Sequence, residues 1–423
     1  MLERALLVGL DITTINKRID NIDIDSSMDE LEELAKAAGA EVVGRVVQSR
    51  QAKDPAYYIG KGKAEEIKEH CDALDVDLVI FNDELSGAQM KNLEDIIDRQ
   101  IVDRTALILD IFAQRALSKE GKLQVELAQL KYRLPRLYGM GKALSRTGAG
   151  IGTRGPGEQK LEIDKRHILN RISDIKRELK EVKKNRQVQR MQRLKSDIPI
   201  VALVGYTNAG KSTLTNELIK THKEYTKEKE VFSKDMLFAT LDVTLRKALL
   251  SNNREFLVVD TVGFVSKLPH DLIEAFKATL EEVKYADLIL HVVDASNRNY
   301  DIQMDTTLNV LKELDVLDKD IITVFNKVDK LDYDINAMKD EDVVFISCKT
   351  GYNIDLLLDK IETKLMKNLY KVEMIIPYTN GEIFNLLKEK TVIDKFEYIE
   401  EGIYVKVSLD DKDYGRYRDY ILE

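Results

Sequence analysis

Cysteine, histidine and long apolar runs are scarce in this chain of 423 residues. Its two cysteines, Cys71 and Cys348, lie far apart and show no metal-ligand spacing, so we expect the reduced thiols of a cytosolic protein. No apolar run approaches the roughly 18 residues that a membrane span needs. These absences argue against a disulfide-stabilised secreted domain, a cysteine-based metal site and an integral membrane protein.

The start of the chain also lacks the features of a signal peptide. The apolar stretch in Met1–Asp11 is too short, and it becomes acidic too soon. The 65 basic and 74 acidic residues suit a soluble protein. We therefore expect a cytoplasmic monomer with at most a peripheral association with membranes. The length of the chain predicts about three domains.

The strongest motif is a glycine-rich loop, G-Y-T-N-A-G-K-S, at residues 205–212. The apolar run Ile198–Val204 precedes it and a helical pattern follows, which is the context of a phosphate-binding loop (P-loop). Glycines let successive backbone N–H groups point at a polyphosphate, and the helix start adds a positive end. We predict that the nucleotide is bound by Gly205, Tyr206, Thr207, Asn208, Ala209, Gly210, Lys211, Ser212 and Thr213.

The expected cofactor is Mg²⁺, with GTP as the substrate. Lys211 can reach the β- and γ-phosphates, and the Ser212 hydroxyl can ligate magnesium. Asp260 ends an apolar run and begins D-T-V-G, so it would hold magnesium through water. In the same motif, the N–H group of Gly263 would face the γ-phosphate.

A second motif predicts that the base is guanine. Asn326, Lys327 and Asp329 form N-K-x-D directly after the apolar run Ile321–Phe325. A carboxylate at Asp329 can accept hydrogen bonds from guanine N1–H and the exocyclic amine, a pair of donors that adenine lacks. A closing loop is predicted at Ser347, Cys348 and Lys349. Each pattern is short, but their order along the chain makes coincidence implausible.

The predicted fold class is α/β in a multidomain chain. Alternating strand and helix patterns in residues 1–104 predict an α/β domain with a parallel sheet. Heptad seams in residues 105–197 predict a long antiparallel helical hairpin. Residues 198–366 are predicted to form a Ras-like P-loop domain and residues 367–423 a small α+β domain. The Gly60-Lys61-Gly62 turn is either a small anion site or a strand-to-helix turn, and the composition favours the turn.

The connection between the two hairpin helices is basic and rich in glycine. Seven of the 21 glycines lie in residues 139–157, and residues 127–157 contain six basic residues and no acidic residue. Residues 158–197 add thirteen basic and seven acidic residues, so this arm is cationic within a chain of net charge −9. Such a patch favours nucleic-acid phosphate, although a solvated, ion-paired face is an equal alternative for the second helix. The predicted RNA contacts are Arg136, Lys142, Arg146 and Arg154.

The chain resembles the HflX family of translational GTPases. The resemblance is carried by Y-I-G-K-G-K at 58–63, the glycine-rich run 136–158, the P-loop, L-F-A-T-L-D at 237–242 and D-T-V-G-F at 260–264. It extends over nearly all of residues 1–366. It implies a GTPase that binds the large ribosomal subunit and its rRNA near the peptidyl transferase centre. The implied activity is to separate stalled or idle ribosomes into subunits, as in heat or antibiotic stress.

The resemblance also implies the roles of residues around the γ-phosphate. Thr240 would be the switch threonine that bonds Mg²⁺ and the γ-phosphate, with Phe238 beside the nucleotide. Lys211, Thr240 and Gly263 would then form the catalytic set. Phe264 stands where Ras-type enzymes place a water-orienting glutamine, so we expect slow intrinsic hydrolysis that the ribosome accelerates. Two alternatives stay open, a GTPase for large-subunit assembly and a nucleotide-gated scaffold for RNA or protein.

Overall fold

The computed structural model describes residues 2–13, 23–144, 156–193, 198–222, 238, 244–252, 254–267, 281–331, 340–365, 370–391, 393–409 and 411–422. The predicted site residues Thr240, Arg146 and Arg154 lie outside these ranges, and so does the side chain of Lys142. No helix in the described part of the chain is long and apolar enough to cross a membrane.

The N-terminal domain is a parallel four-stranded sheet with helices on both faces. Its strand order is β2-β1-β3-β4. Ser86 and Gln89 form a capping box on α3, and the Asp103 side chain caps α4 through the N–H group of Ala106. Its elements are β1 (Glu3–Ile12), α1 (Ile24–Ala38), β2 (Ala40–Arg50), α2 (Lys61–Leu74), β3 (Leu78–Phe81), α3 (Gly87–Ile97), β4 (Gln100–Asp103) and α4 (Arg104–Arg115).

Helix α4 belongs to the N-terminal core, although the boundary predicted after residue 104 assigned it to the hairpin. Leu107, Ile108 and Phe112 are buried in one cluster with Leu31 and Leu34 of α1. Apolar residues at helical spacing show that one face of a helix is buried, but they do not show which neighbouring element covers that face. Only the packing in the structure assigns these residues to the N-terminal core and not to the hairpin seam. The Gly60-Lys61-Gly62 turn is the start of α2, and the N–H group of Gly60 donates to Oε1 of Gln48.

Two long helices form the hairpin, α5 (Lys119–Leu144) and α6 (Pro156–Arg193). Leu123, Leu127, Ile172 and Ile175 are buried between them, and other members of the predicted seams flank these residues. At about 1.5 Å per residue the helices are roughly 39 Å and 57 Å long. Many basic residues of α6 are ion-paired near its base, for example Arg171 with Glu126 of α5 at 2.6 Å.

The third domain has a six-stranded sheet of order β10-β9-β8-β5-β7-β6, in which only β6 runs antiparallel to its neighbour. The buried strand β5 lies at its centre. The elements of this domain are β5 (Ile200–Gly205), α7 (Lys211–Ile219), β6 (Thr244–Leu249), β7 (Glu255–Asp260), β8 (Leu288–Asp294), α8 (Tyr300–Glu313), β9 (Asp320–Asn326), β10 (Val343–Phe345) and α9 (Ile354–Leu365).

The C-terminal domain is a small βαββα unit, as the sequence predicts. Strands β11 (Tyr370–Ile376), β12 (Ile393–Ile399) and β13 (Gly402–Leu409) form an antiparallel sheet with β13 in the middle. Helices α10 (Gly381–Lys390) and α11 (Asp411–Arg416) complete it. Its core holds Met374, Val405 and Leu387. The α/β multidomain fold class is thus confirmed.

Candidate functional site

Two glycines shape the loop at the carboxyl end of β5. Gly205 has φ +150°, and a Cβ atom there would lie 2.1 Å from the carbonyl oxygen of Val292. Gly210 has φ +95°, and a Cβ atom there would lie 2.2 Å from Nδ2 of Asn326. Both positions require glycine, because a side chain would be strained and would clash. The loop therefore approaches β8 and β9 closely enough to bring the two predicted motifs together.

Helix α7 points its N-terminal end at the same loop. It begins at Lys211, and no side chain caps it at Gly210. Ser212 and Thr213 lie in its first turn. The first N–H groups of a helix have no partner within the helix, and the helix dipole favours an anion beside them. The loop and the helix end together form an arrangement that can hold a nucleoside di- or triphosphate.

Lys211 is held inside this loop. Its side chain is buried, and Nζ donates to the carbonyl oxygens of Gly205 at 3.0 Å and Tyr206 at 2.6 Å. Burial lowers the pKa of Lys211 to about 8, against the opposing effect of the Asp260 carboxylate. A bound polyphosphate would supply the negative charge that a buried ammonium group needs as a partner.

Ser212 and Asp260 form an oxygen donor set that fits magnesium. The Ser212 hydroxyl donates to Oδ2 of Asp260 at 2.8 Å, and Asp260 is fully buried where β7 ends beside β5. Magnesium is commonly held by one or two protein oxygens together with substrate phosphates. Accordingly, we find no cluster of three or more His, Cys, Asp or Glu residues suited to a metal within the described ranges. Such an ion would neutralise charge on the phosphates.

We call residues 260–267 the second-switch segment, and its Gly263 lies directly against the P-loop. A Cβ atom at Gly263 would lie 2.8 Å from Cα of Thr207 and 2.9 Å from Nζ of Lys211. The N–H group of Thr207 donates to the carbonyl oxygen of Phe264 at 2.7 Å, and the N–H group of Phe264 donates to Gly205 at 3.1 Å. The Phe264 ring is buried in an apolar cluster. This ring cannot orient a water molecule for attack.

The N-K-x-D motif meets the P-loop at its other side. Nδ2 of Asn326 donates to the carbonyl oxygen of Ala209 at 3.0 Å, and Oδ1 of Asn326 accepts from the N–H group of Cys348 at 3.1 Å. The hydroxyl of Ser347 donates to Oδ1 of Asp329 at 2.6 Å, while the Asp329 side chain stays exposed. Asn326 thus ties the phosphate loop to the closing loop, and Asp329 is accessible to a base.

The remaining residues of the predicted guanine pocket border the same space. Lys327 pairs with Asp294 at 2.9 Å, and its Nζ lies 3.5 Å from Oδ1 of Asn208. Lys349 is exposed, whereas Cys348 is buried. Burial raises the pKa of the Cys348 thiol to about 12, so the thiol is unreactive. The described residues of the predicted nucleotide site lie together at this edge of the sheet, with the exception of Phe238, and their roles stay predictions.

Phe238 corrects one prediction. Its side chain is buried in the N-terminal core and stacks edge to face on Phe112, with ring centroids 4.5 Å apart. An apolar side chain in a segment that resembles a switch can face either the nucleotide or a neighbouring domain, and only packing separates the two. Here the Phe238 ring packs on the N-terminal domain and is not placed to contact a nucleotide.

Arg136 corrects a second prediction. Its guanidinium group lies 3.1 Å from carboxylate oxygens of both Glu84 and Asp103, and 3.4 Å from the centre of the Tyr132 ring. The side chain is 13% exposed. Arg136 is therefore engaged by the N-terminal domain in the C-terminal part of α5, and this conformation does not offer it to RNA.

One polar cluster at the site escaped the sequence analysis. Tyr206 of the P-loop donates its hydroxyl to Oε1 of Glu30 at 2.7 Å, and the Ser266 hydroxyl donates to the same carboxylate. Burial, with Glu30 nearby, raises the pKa of Tyr206 well above its usual value, so the phenol stays protonated. No local signal marks Glu30, because it is one of several acidic residues on an amphipathic helix.

The depressed pKa of Lys211 predicts how nucleotide affinity depends on pH. Bound phosphates favour the charged lysine and raise its pKa, so nucleotide binding takes up a proton once the pH exceeds about 8. We expect GTP affinity to be flat below pH 7 and to fall by up to about tenfold per pH unit above 8. Titration of a fluorescent GTP analogue from pH 6.5 to 9 measures this slope. Because Lys211→Ala lacks the ionising group, an equal slope in that variant would contradict the assignment to Lys211.

Three family descriptions match consecutive parts of the chain. Residues 25–113 match the N-terminal region of GTP-binding GTPases and residues 115–193 match their middle region. Residues 200–327 match the family described as 50S ribosome-binding GTPase. The matches follow the three units that precede the C-terminal domain.

Curated relatives extend the similarity over almost the whole length. GTPase HflX of Caldanaerobacter subterraneus subsp. tengcongensis is 49% identical over 420 residues, which are 99% of this chain and 94% of that protein. GTPase HflX of Escherichia coli strain K12 is 42% identical, over 94% of this chain and 91% of that protein. Among solved structures, a GTP-binding protein of Sulfolobus solfataricus in complex with GDP shares 24% identity and a TM-score of 0.46, over 86% of this chain and 99% of that chain.

Proposed function

Because this chain belongs to the HflX family of GTPases, we propose that it uses GTP binding to attach to the large ribosomal subunit and to separate stalled or idle ribosomes into subunits. Its substrate is GTP with Mg²⁺, and it acts as a cytoplasmic monomer. One observation carries the proposal. The same chain contains a guanine-nucleotide site and a long helical hairpin whose connection is cationic.

The hairpin supports the RNA-binding part of the proposal. Helices α5 and α6 meet at the connection between Leu144 and Pro156, which contains Arg146, Arg154 and no acidic residue. Near the base, the α6 residues Lys183 and Arg186 pair with Glu281 and Glu120. In the sequence, basic residues without acidic neighbours are concentrated at the connection. Basic residues among glycines suit a close approach to ribose-phosphate backbone.

The nucleotide site supports slow hydrolysis by the free protein. Lys211 and the N–H groups of the P-loop and α7 bind and orient the phosphates, with Gly263 beside them. The buried Phe264 leaves the second-switch segment without a polar group at the position of a water-orienting glutamine. We propose that binding to the ribosome orders both switch segments, of which the first contains Thr240 and the second is the second-switch segment.

Sedimentation of intact ribosomes with the protein tests the proposal. With GTP or a non-hydrolysable analogue, we expect intact ribosomes to separate into subunits, and with GDP we expect no separation. Accumulation on immature large particles would instead support the assembly alternative. Absence of co-migration with any ribosomal particle would contradict both and favour a scaffold.

A charge-reversal variant tests the RNA arm separately. The triple change Lys142→Glu, Arg146→Glu and Arg154→Glu should weaken ribosome binding by at least about 100-fold, because each lost phosphate contact removes released counterions. GTP affinity should stay within about twofold, since these residues lie outside the nucleotide motifs of the sequence. Ribosome affinity is measured by pelleting at several salt concentrations.

The matched control carries the same charge change on exposed positions of α6. Arg166→Glu, Arg177→Glu and Lys184→Glu alter three exposed residues away from the connection. We expect a much smaller loss for this variant. Equal losses in both triple variants would mean that net charge, and not the connection, governs binding.

A further inference from the structure

The second-switch segment is held by the N-terminal domain through buried polar contacts. Ser266 is buried and donates both its N–H group and its hydroxyl to the Glu30 carboxylate. Arg104, 1% exposed, lies 2.8 Å from Glu30 and donates to the Ser266 hydroxyl at 3.0 Å. Arg104 also donates to Oδ1 of Asn82 at 2.8 Å. A buried charge pair with these hydrogen bonds resists displacement, because separating it leaves an uncompensated charge.

The next residue of the switch contacts the same domain. Lys267 has φ +55°, a left-handed conformation that side chains other than glycine rarely adopt. Its Nζ lies 3.1 Å from Oδ1 of Asp83, and the Tyr58 hydroxyl donates to the same carboxylate. The strained backbone at Lys267 persists where Asp83, itself bound by Tyr58, holds the ammonium group in place.

Asp83 is the middle residue of a three-residue segment, Asn82–Glu84, that contacts four different parts of the structure. Asn82 accepts from Arg104 of α4, and its Nδ2 donates to the hydroxyl of Ser27 in α1 at 2.9 Å. Asp83 binds the second switch through Lys267. Glu84 binds Arg136 in the C-terminal part of α5 at 3.1 Å. The switch and the hairpin are therefore held by adjacent residues of one short segment.

The C-terminal half of α5 is firmly attached to this segment. Besides Glu84, Arg136 donates to the carbonyl oxygen of Leu85 at 2.7 Å and to Oδ2 of Asp103 at 3.1 Å. The Tyr132 hydroxyl donates to the other oxygen of Asp103 at 2.8 Å. Asp103 directly precedes Arg104, so a second pair of adjacent residues joins the hairpin to the switch. A shift of either segment would move helix α5.

We propose that the 82–84 segment, supported by Glu30 and Arg104, transmits the position of the second switch to helix α5 of the hairpin at Arg136. Gly263 lies only three residues before Ser266 and four before Lys267, a span of at most about 14 Å of extended chain. A γ-phosphate that repositions Gly263 must therefore change the contacts of Lys267 with Asp83. The proposal rests on the proposed function, since it explains how a GTP-driven change reaches the ribosome-binding arm.

Hydrogen–deuterium exchange of the purified full-length protein tests this link without ribosomes. With GDP and with a non-hydrolysable GTP analogue, exchange rates of residues 130–138 in the wild type should differ at least threefold. Asp83→Asn and Lys267→Met break the same ion pair from its two sides. We expect each variant to reduce that difference below about 1.5-fold, and the double variant to add nothing further.

The control is Asp95→Asn, which removes an exposed carboxylate that pairs with Lys91 on α3. It should behave as the wild type. The proposal is overturned if the two link variants keep the full nucleotide-dependent difference, or if the wild type shows none. It is also overturned if both variants lose nucleotide protection of residues 205–212, because the ion pair would then serve nucleotide binding itself. A negative sedimentation result would refute the proposed function and leave this exchange result unaffected.

Discussion

Replacing Lys211 with alanine should lower GTP affinity by about 100- to 1,000-fold and abolish measurable hydrolysis. The lysine is buried, and its ammonium group already bonds two P-loop carbonyl groups. Truncation leaves those oxygens unpaired and removes the positive charge that faces the phosphates. Removal of one partner from such a buried pair costs about 2–5 kcal/mol, and every 1.4 kcal/mol is about tenfold. Equilibrium titration with a fluorescent GTP analogue and a phosphate-release assay measure the two losses.

Lys220 provides the matched control for this variant. It directly follows the same helix, is exposed and pairs with the nearby Glu217 at 2.6 Å. We expect Lys220→Ala to bind and hydrolyse GTP as the wild type does. If Lys211→Ala retained GTP affinity within about threefold, the phosphate-binding role of the loop would be refuted. Thermal unfolding of both variants separates lost binding from lost folding.

Replacing Asp329 with asparagine should change the preferred base. A carboxylate accepts from both N1–H and the exocyclic amine of guanine, whereas an asparagine amide can accept from only one and must donate at the other position. Xanthine carries an oxygen in place of that amine and can accept from the amide. We expect GTP affinity to fall by about 100-fold or more and the ratio of XTP to GTP affinity to rise by about 1,000-fold. Competition titrations with GTP, XTP and ATP measure the ratio.

The geometry explains why this change should act locally. Ser347 donates its hydroxyl to Oδ1 of Asp329, and an asparagine oxygen can accept the same bond, so the closing loop keeps its support. Asp318→Asn changes an exposed carboxylate that precedes β9 and should leave base preference unaltered. A variant Asp329→Asn that still prefers GTP over XTP would show that the base is read elsewhere.

The nucleotide site was predictable because its residues are close in sequence to the strands and helix that position them. The P-loop follows β5, the D-x-x-G motif follows β7 and the N-K-x-D motif follows β9. Parallel strands bring their carboxyl ends to one edge of a sheet, so recognition of the strands places all three motifs together. The helical hairpin was predictable for a similar reason, since heptad spacing defines its seam.

The roles of Arg136 and Phe238 could not be read from the sequence. An arginine in an acid-free stretch looks available for phosphate, but its partners Glu84 and Asp103 lie more than thirty residues earlier in the chain. The ring of Phe238 packs on Phe112, which belongs to another domain. Both outcomes depend on contacts between segments distant in sequence, and no local pattern encodes them.

By itself, the amino-acid order determined the GTP chemistry, the domain sequence and the cationic connection of the hairpin, because each depends on short motifs or on periodicity along a single element. Tertiary structure alone decided how these parts communicate. Glu30, Asp83 and Arg104 look like ordinary surface charges in the sequence. They become a buried link between switch and hairpin because the N-terminal domain folds against the P-loop, where charges removed from water must be paired with one another.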